Sequence, residues 1–421
     1  MNERLFQYIW QHQLYQCRDM TLDNGEPVEI LFAGIYNENQ GPDFLEAKVR
    51  IGAATWMGQV ELHIKASDWF RHSHQDDVNY DNVILHVVWE NDLPVMEGLP
   101  TLVLQDRVAN TLVTRYEKLM QDRSFIPCQQ LLLKEQGFAY EDFFKTLLEQ
   151  RFERKAHDLT LQLKQNNFYW EELLWWQVSR AFGGHINADA FEEIARSIRL
   201  NILLRHKQQI HQLEGMLLGQ SGLLEGPFED DYIVLLKKEY VFLRKKYHLD
   251  PIKNKLHFLR MRPISFPTVR LAQLAMLLYN RGISFNYFRS HHDVIDAAAW
   301  FEVTANDFWH YHYTLEEKGS FQPKSTGRAL CQNIMINAVI PLLWCYGQFY
   351  RDEKLKQQCY DWLRQLPAES NKVTRGFGQL GIKPVNAWDT QSLIELKKHY
   401  CDERRCLECE IGKNLLKRRT V

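Results

Sequence analysis

Glu61, His63 and Lys65 stand at alternate positions in the run VELHIK. Alternate residues of a strand share one face, so an extended backbone here projects a carboxylate, an imidazole and an ammonium together. Glu46, in the preceding run FLEAKVRI, adds a second carboxylate. Paired carboxylates offer hard oxygen ligands to magnesium or manganese. A cation so held acidifies its water and neutralises charge on a phosphate, and a neighbouring Lys or His can orient or deprotonate that water. The same residues also suit a plain polar face turned to solvent, and alternation alone does not separate the two.

Downstream, His72, His74 and His86 fall within a short span with Asp68, Asp76, Asp77 and Asp81. Imidazole with carboxylate suits a transition metal such as zinc, manganese or iron, although the spacing matches no specific zinc signature. His86 interrupts an apolar strand, so its burial requires a partner. Further on, KKHYCDERRCLECEIG gathers His399, Cys401, Cys406 and Cys409. Thiolates in a locally basic setting are stabilised as ligands. Four such ligands close a structural zinc site, and an iron–sulfur cluster takes four thiolates. The fourth ligand beside the three cysteines is His399 or a distant Cys359, Cys17 or Cys128. The most basic stretch carries Lys237, Lys238, Arg244, Lys245 and Lys246 among Tyr and Phe. That mixture can track phosphates and stack bases; it equally describes the solvated face of an amphipathic helix.

These side chains need elements to position them. With 421 residues the chain has room for about two or three domains. Its 45% hydrophobic and 25% charged composition is that of a globular protein with ample core. A net charge of -2 removes any global electrostatic argument for nucleic acid, which leaves only a local patch. The opening MNERLFQYIWQHQLYQC lacks the continuous apolar stretch of a signal peptide and sets Leu5, Phe6, Ile9, Trp10 and Leu14 at helical spacing. No run approaches the roughly 18 apolar residues of a membrane helix. The expectation is a cytoplasmic protein with no membrane contact, its 8 cysteines reduced or metal-bound.

Strand signals dominate up to residue 108. They include PVEILFAGIY, FLEAKVRIG, TWMGQVELHIK, DNVILHVVWEND and LPTLVLQD. A short helix is expected after HIKAS, with Ser67 as its N-cap. With Gly52-Ala53 as a two-residue turn, cross-strand partners keep a constant index sum, so Ile51 faces Ala54, Val49 faces Trp56 and Leu45 faces Val60. This puts Leu45, Ala47, Val49, Val60, Leu62 and Ile64 on one face. Glu46, Lys48, Gln59, Glu61, His63 and Lys65 share the other. Beyond residue 108 the pattern is helical, with amphipathic segments at 140–164, 170–181, 231–246, 268–279, 331–350 and 390–400, and a break at FGGHIN. The expected division is 1–108 and 109–421.

The order helix, strand, GPD strand, VELHIK strand, short helix, apolar strand resembles the PD-(D/E)XK nuclease-like superfamily over roughly the first 100 residues. The resemblance implies an α+β fold: an N-terminal mixed-sheet α/β domain of restriction-endonuclease-like topology, followed by a mostly α-helical domain. It also implies that Asp43 of Pro42-Asp43 and Glu61 bind magnesium or manganese, and that the residue two beyond Glu61 positions water. Here that residue is His63 rather than lysine, with Lys65 one alternate position further on, and Glu46 is the reserve ligand. Strict alternation leaves Asp43 on the face opposite Glu61, so the resemblance requires a bulge or twist near Pro42-Asp43. Some members of that superfamily carry a cluster from a C-terminal cysteine trio plus one upstream cysteine, though with different spacing. The runs NQGPDF, VELHIKASDW, MRPISFPTVRLAQLA and CLECEIG also resemble, over nearly the full length, a bacterial domain-of-unknown-function family, which implies no activity.

The leading expectation is therefore a metal-dependent phosphodiesterase acting on DNA or RNA, with Asp43, Glu61, His63 and Lys65 as its centre. The alternative is a catalytically degenerate nuclease fold that binds nucleic acid or protein. A third class is a metalloprotein built on the histidine cluster.

Overall fold

The computed structural model describes residues 1–94, 98–132 and 141–417. It is α+β, with a mixed sheet in the N-terminal part and a helical remainder. Residue 140, the expected start of one helix, lies outside the described residues.

Two compact units divide the chain. The first comprises Met1–Phe138 together with Leu396–Val421, and the second is Ala139–Glu395. The division falls later than the change of pattern near residue 108, and the C-terminal segment returns to the first unit. The helix Asn110–Gln121 (α3 below) explains part of this. Its last carbonyls, from Leu119, Met120 and Asp122 just beyond its end, accept from Arg404 at 3.1, 2.6 and 2.7 Å. Periodicity marks where helices begin, and only such long-range contacts mark which unit they join.

In the first unit, α1 (Glu3–Gln11) is capped by Asn2, whose side chain accepts from Leu5. It buries Leu5, Phe6, Ile9 and Trp10, the residues its spacing selects. The strands are β1 (Val28–Phe32), β2 (Ile35–Tyr36), β3 (Phe44–Ile51), β4 (Ala54–Lys65), β5 (Val83–Glu90) and β6 (Thr101–Val103), with α2 (Asp68–Arg71) between β4 and β5 and α3 (Asn110–Gln121) after β6. Their order is β1-β3-β4-β5-β6, with β2 pairing β3. The pairs β1–β3 and β3–β4 are antiparallel, and β4–β5 and β5–β6 are parallel. Ser67 precedes α2 but does not cap it with its side chain; its hydroxyl and amide both donate to Asp92.

The β3–β4 hairpin follows the expected register from Ile51↔Ala54 to Ala47↔Gly58. It then slips. Phe44, not Leu45, pairs with Val60, because a bulge intervenes at Leu45-Glu46. Glu46 has a left-handed backbone, φ 58°. Phe44 is fully buried while Leu45 is only half-buried, so the apolar face passes to Phe44 across the bulge. The extra residue also brings Asp43 to the side of Glu61.

The second unit is helical. Its long helices are Glu141–Gln165, Trp170–Ser197, Asp231–Tyr247 and Pro267–Asn280. The break expected at FGGHIN falls at Gly184, whose φ of 62° and ψ of -159° are non-helical and separate two helices across a kink. The segment Arg328–Tyr350 is long and apolar enough to cross a membrane, contrary to the sequence expectation, and 67% of its most apolar window is buried inside the protein. Burial of that kind is what a central core helix shows.

Candidate metal centre

The face of β4 that carries Glu61 and His63 is covered, not solvated: Glu61 is 6% and His63 2% exposed. The covering residues come from the connection between β4 and β5. Trp69 of α2 meets His63, His74 and His86 edge-on or tilted at ring separations of 6.5, 5.4 and 5.3 Å. Tyr80 stacks on His74 at 3.8 Å. These two aromatics hold the connection against the strand, with His74 beside Glu61 and His72 beside the rings of His63 and His74.

Glu61 divides its two oxygens. Oε2 accepts the backbone N–H of Asp43 at 3.0 Å. Oε1 faces His63 Nε2 at 3.5 Å and His74 Nε2 at 3.4 Å. Both of those nitrogens are buried and have no hydrogen-bond partner. An unpaired buried polar atom costs about 1–3 kcal/mol, so two of them converging on one carboxylate oxygen need a ligand between them. The ligand nitrogens of His63, His72 and His74 lie within 4.8 Å of one another, the one three-ligand group of that kind among the described residues. Glu61 Oε1 stands beside two of these three imidazoles, and imidazoles with a carboxylate are a donor set suited to zinc, iron or another transition metal.

The next layer of contacts orients this set. His63 Nδ1 lies 2.9 Å from His86 Nε2, and Glu61 and His86 are register partners on β4 and β5. A ligating imidazole commonly spends its second nitrogen in this way. His86 is fully buried, and it has His63 as its partner at Nε2 while its Nδ1 has none. Burial, reinforced by His86, His74 and His72, depresses His63 to about 2. Burial likewise brings His86 down to about 4. Both rings are therefore neutral at ordinary pH, and neutral imidazole is the ligating form. Asp43 and Glu61 are both raised, chiefly by burial, and Glu61 also by the neighbouring Asp43.

Asp43 plays a different part from the one expected. Its Oδ1 accepts Gln7 Nε2 at 2.7 Å and its Oδ2 accepts Leu62 N at 3.1 Å. Both oxygens are spent on holding α1 and β4, and the Asp43 amide in turn holds Glu61. Glu46 is exposed on the bulge. Lys65 is exposed at the end of β4 and sits by Asp92, whose carboxylate is lowered first by hydrogen bonds from Ser67 and further by this ammonium. The structure thus brings together Glu61, His63, His72, His74 and His86, with Asp43 behind, and leaves Glu46 and Lys65 outside. The sequence signal for His72 and His74 was their proximity in the chain; nothing local told of their return to Glu61.

Beside this centre the first unit has an open cleft of about 520 Å³ whose lining includes Arg4, Gln7, Tyr36, Arg405 and Lys413. Gln7 connects it to Asp43, and Tyr36 Oη donates to Gln7 at 3.3 Å. In the second unit, Lys238, Arg244, Lys245 and Lys246 are exposed on the helix Asp231–Tyr247, whereas Lys237 donates to the Gly226 carbonyl.

His399 precedes the three C-terminal cysteines in the chain. That imidazole lies 3.5 Å from Glu403. Cys128 lies near these three: burial chiefly raises its thiol, with Cys409 and Cys406 adding to the rise, and burial likewise raises Cys401, with Cys128, Cys409 and Cys406 adding to it.

A family model described as a protein of unknown function, DUF2851, matches residues 3–372. No curated protein and no solved structure matches the chain.

Proposed function

The chain belongs to the DUF2851 family, and we propose that it is a metal-dependent phosphodiesterase acting on DNA or RNA, its metal held by Glu61, His63, His72 and His74. The observation that carries this reading is the pair of partnerless buried nitrogens, His63 Nε2 and His74 Nε2, on either side of Glu61 Oε1. A divalent cation bound there would supply Lewis acidity toward a phosphate and its attacking water. Three imidazoles favour zinc, iron or manganese over magnesium, which prefers oxygen ligands and its own water shell.

The residues divide the remaining work. His86 fixes the ring of His63, Tyr80 that of His74, and Asp43 the carboxylate of Glu61. His72 is the exposed member of the set, so solvent and substrate approach from its side. The basic and aromatic lining of the neighbouring cleft suits a phosphodiester backbone. The order α1, antiparallel β3–β4, α2, parallel β5 supports the nuclease-like reading of this unit, as does the bulge that turns Asp43 toward Glu61.

A second reading has one observation in its favour. Lys65, the ammonium expected to position water, sits by Asp92 instead. A centre without that lysine could bind metal and nucleic acid without turnover.

The test has two parts. Titrate the metal-stripped chain with manganese and zinc, then incubate it with single- and double-stranded DNA and RNA. Stoichiometric binding and cleavage, both lost in Glu61→Gln, are expected. Binding without cleavage selects the second reading, and absence of binding removes both.

A further inference from the structure

We propose that Cys128, Cys401, Cys406 and Cys409 form a four-thiolate site for an iron–sulfur cluster, which fastens the C-terminal segment to the rest of the first unit. All four belong to that unit. None is in a disulfide; Cys128, Cys406 and Cys409 are buried and Cys401 is half-buried. Each of the four is close enough to the other three for their charges to interact. Four reduced thiols brought together without a disulfide form a soft donor set, and ligation takes the proton from each of them.

The local backbone is shaped around the sulfurs. The Cys409 sulfur accepts the amides of Ile411 and Gly412 at the start of the helix Glu410–Lys417. Burial raises the Cys409 thiol, and these two amides offset part of that rise. Gly412 has no alternative here, because a Cβ at that position would lie 2.1 Å from the Cys406 carbonyl oxygen. On the other side, Arg404 holds the segment against the end of α3 through three carbonyls, and α3 leads directly to Cys128. Cysteines far apart in the chain are thereby brought to one place by contacts that involve no metal.

The spacing selects the kind of metal group. A single tetrahedral zinc, with Zn–S near 2.3 Å, holds its sulfurs only about 3.8 Å apart. Among the described residues, only His63, His72 and His74 bring three ligand atoms within 4.8 Å of one another, so the cysteine sulfurs stand wider than one ion requires. A cluster presents a separate iron to each thiolate and so takes sulfurs set farther apart than one ion does. The inference is independent of the hydrolytic reading, since it shares no residue with the histidine centre.

The experiment uses the full chain, purified without oxygen and assayed for iron, acid-labile sulfide and zinc. About four irons and four sulfides per chain are expected, with loss of both in Cys128→Ser and Cys406→Ser and retention in His399→Ala and Cys17→Ser. Zinc in place of iron, or neither metal, overturns the proposal, as does loss of the cluster in His399→Ala. A Cys128→Ser chain that failed to fold would lose iron for a trivial reason, so X-ray absorption of the unaltered chain supplies a second readout. An all-sulfur iron shell with a short iron–iron distance is expected, and a nitrogen neighbour would overturn the ligand set.

Discussion

Glu61 in the first unit and Glu214 in the second are both buried carboxylates, yet their surroundings are opposite in kind. Glu214 is fully enclosed and each of its oxygens has a donor: Tyr232 Oη at 2.8 Å and Asn306 Nδ2 at 2.7 Å. Asn306 also donates to Tyr232 at 2.6 Å, closing the group on itself. Glu61 has one satisfied oxygen, and its other faces two imidazole nitrogens that have no partner. Burial raises both carboxyls above their ordinary range, so an elevated pKa does not tell a site from a structural tie. Two unsatisfied imidazole nitrogens facing one oxygen do, whereas Trp309 Nε1 beside Glu214 stands among donors that already reach both oxygens. A closed network has no valence left for a ligand, while an open one converging on a point has a place for it.

Five measurements sharpen or break this contrast, from the largest effect down. Glu61→Gln should weaken manganese or zinc binding by more than the roughly 10–100-fold typical of losing an outer-layer partner, as read by titration calorimetry. Unchanged affinity would place Glu61 in the same class as Glu214.

Glu214 should instead appear in stability. Burial moves it from 4.5 up to about 7, so between those values the folded state holds a proton that the unfolded state has released. Its contribution is complete below about pH 4.5 and is lost as pH rises through about 7, a change of about 3 kcal/mol. Hydrogen exchange of the helix Ile210–Gln220 across that window should show protection falling as pH rises. The same profile should flatten in Glu214→Gln.

His86→Gln should lower metal affinity by about 10–100-fold, since the ring of His63 loses the neighbour that orients it; an unaltered affinity would show that this contact only packs the sheet. The smallest effect is expected on the bulge. Glu46→Gly removes a side chain from a left-handed backbone and should stabilise the chain by about 1 kcal/mol or less in denaturant unfolding, with metal affinity unchanged. Lys65→Ala should likewise leave metal affinity where it was.

Much of the framework was legible in the sequence because its signals are local. Period-two alternation marked β3 and β4, and the Gly52-Ala53 turn set their register correctly from Ile51 to Ala47. Helical spacing in the first residues selected the buried face of α1. The slip at Leu45-Glu46 was not legible at its position. A left-handed Glu has no sequence signature, and its cost of about 1–2 kcal/mol is borne only because Phe44 and Asp43 gain their places across the bulge. The need for some such irregularity could be derived, since without it Asp43 and Glu61 point apart.

The sequence by itself determined the chemistry available: Glu61 and His63 on one strand face, histidines and cysteines in number, and the periodicities that make strands and helices. Tertiary structure decided which of these groups meet. Trp69 and Tyr80 fold a connection over β4 and make its polar face a buried one, with His74 beside Glu61 and His72 grouped with His63 and His74. Arg404 and Gly412 set a C-terminal loop beside which Cys128 comes near Cys401, Cys406 and Cys409. The physical reason is the range of the forces. Backbone periodicity is written within a few residues, whereas the convergence of ligands depends on packing between segments distant in the chain, of which a single sequence holds no local trace.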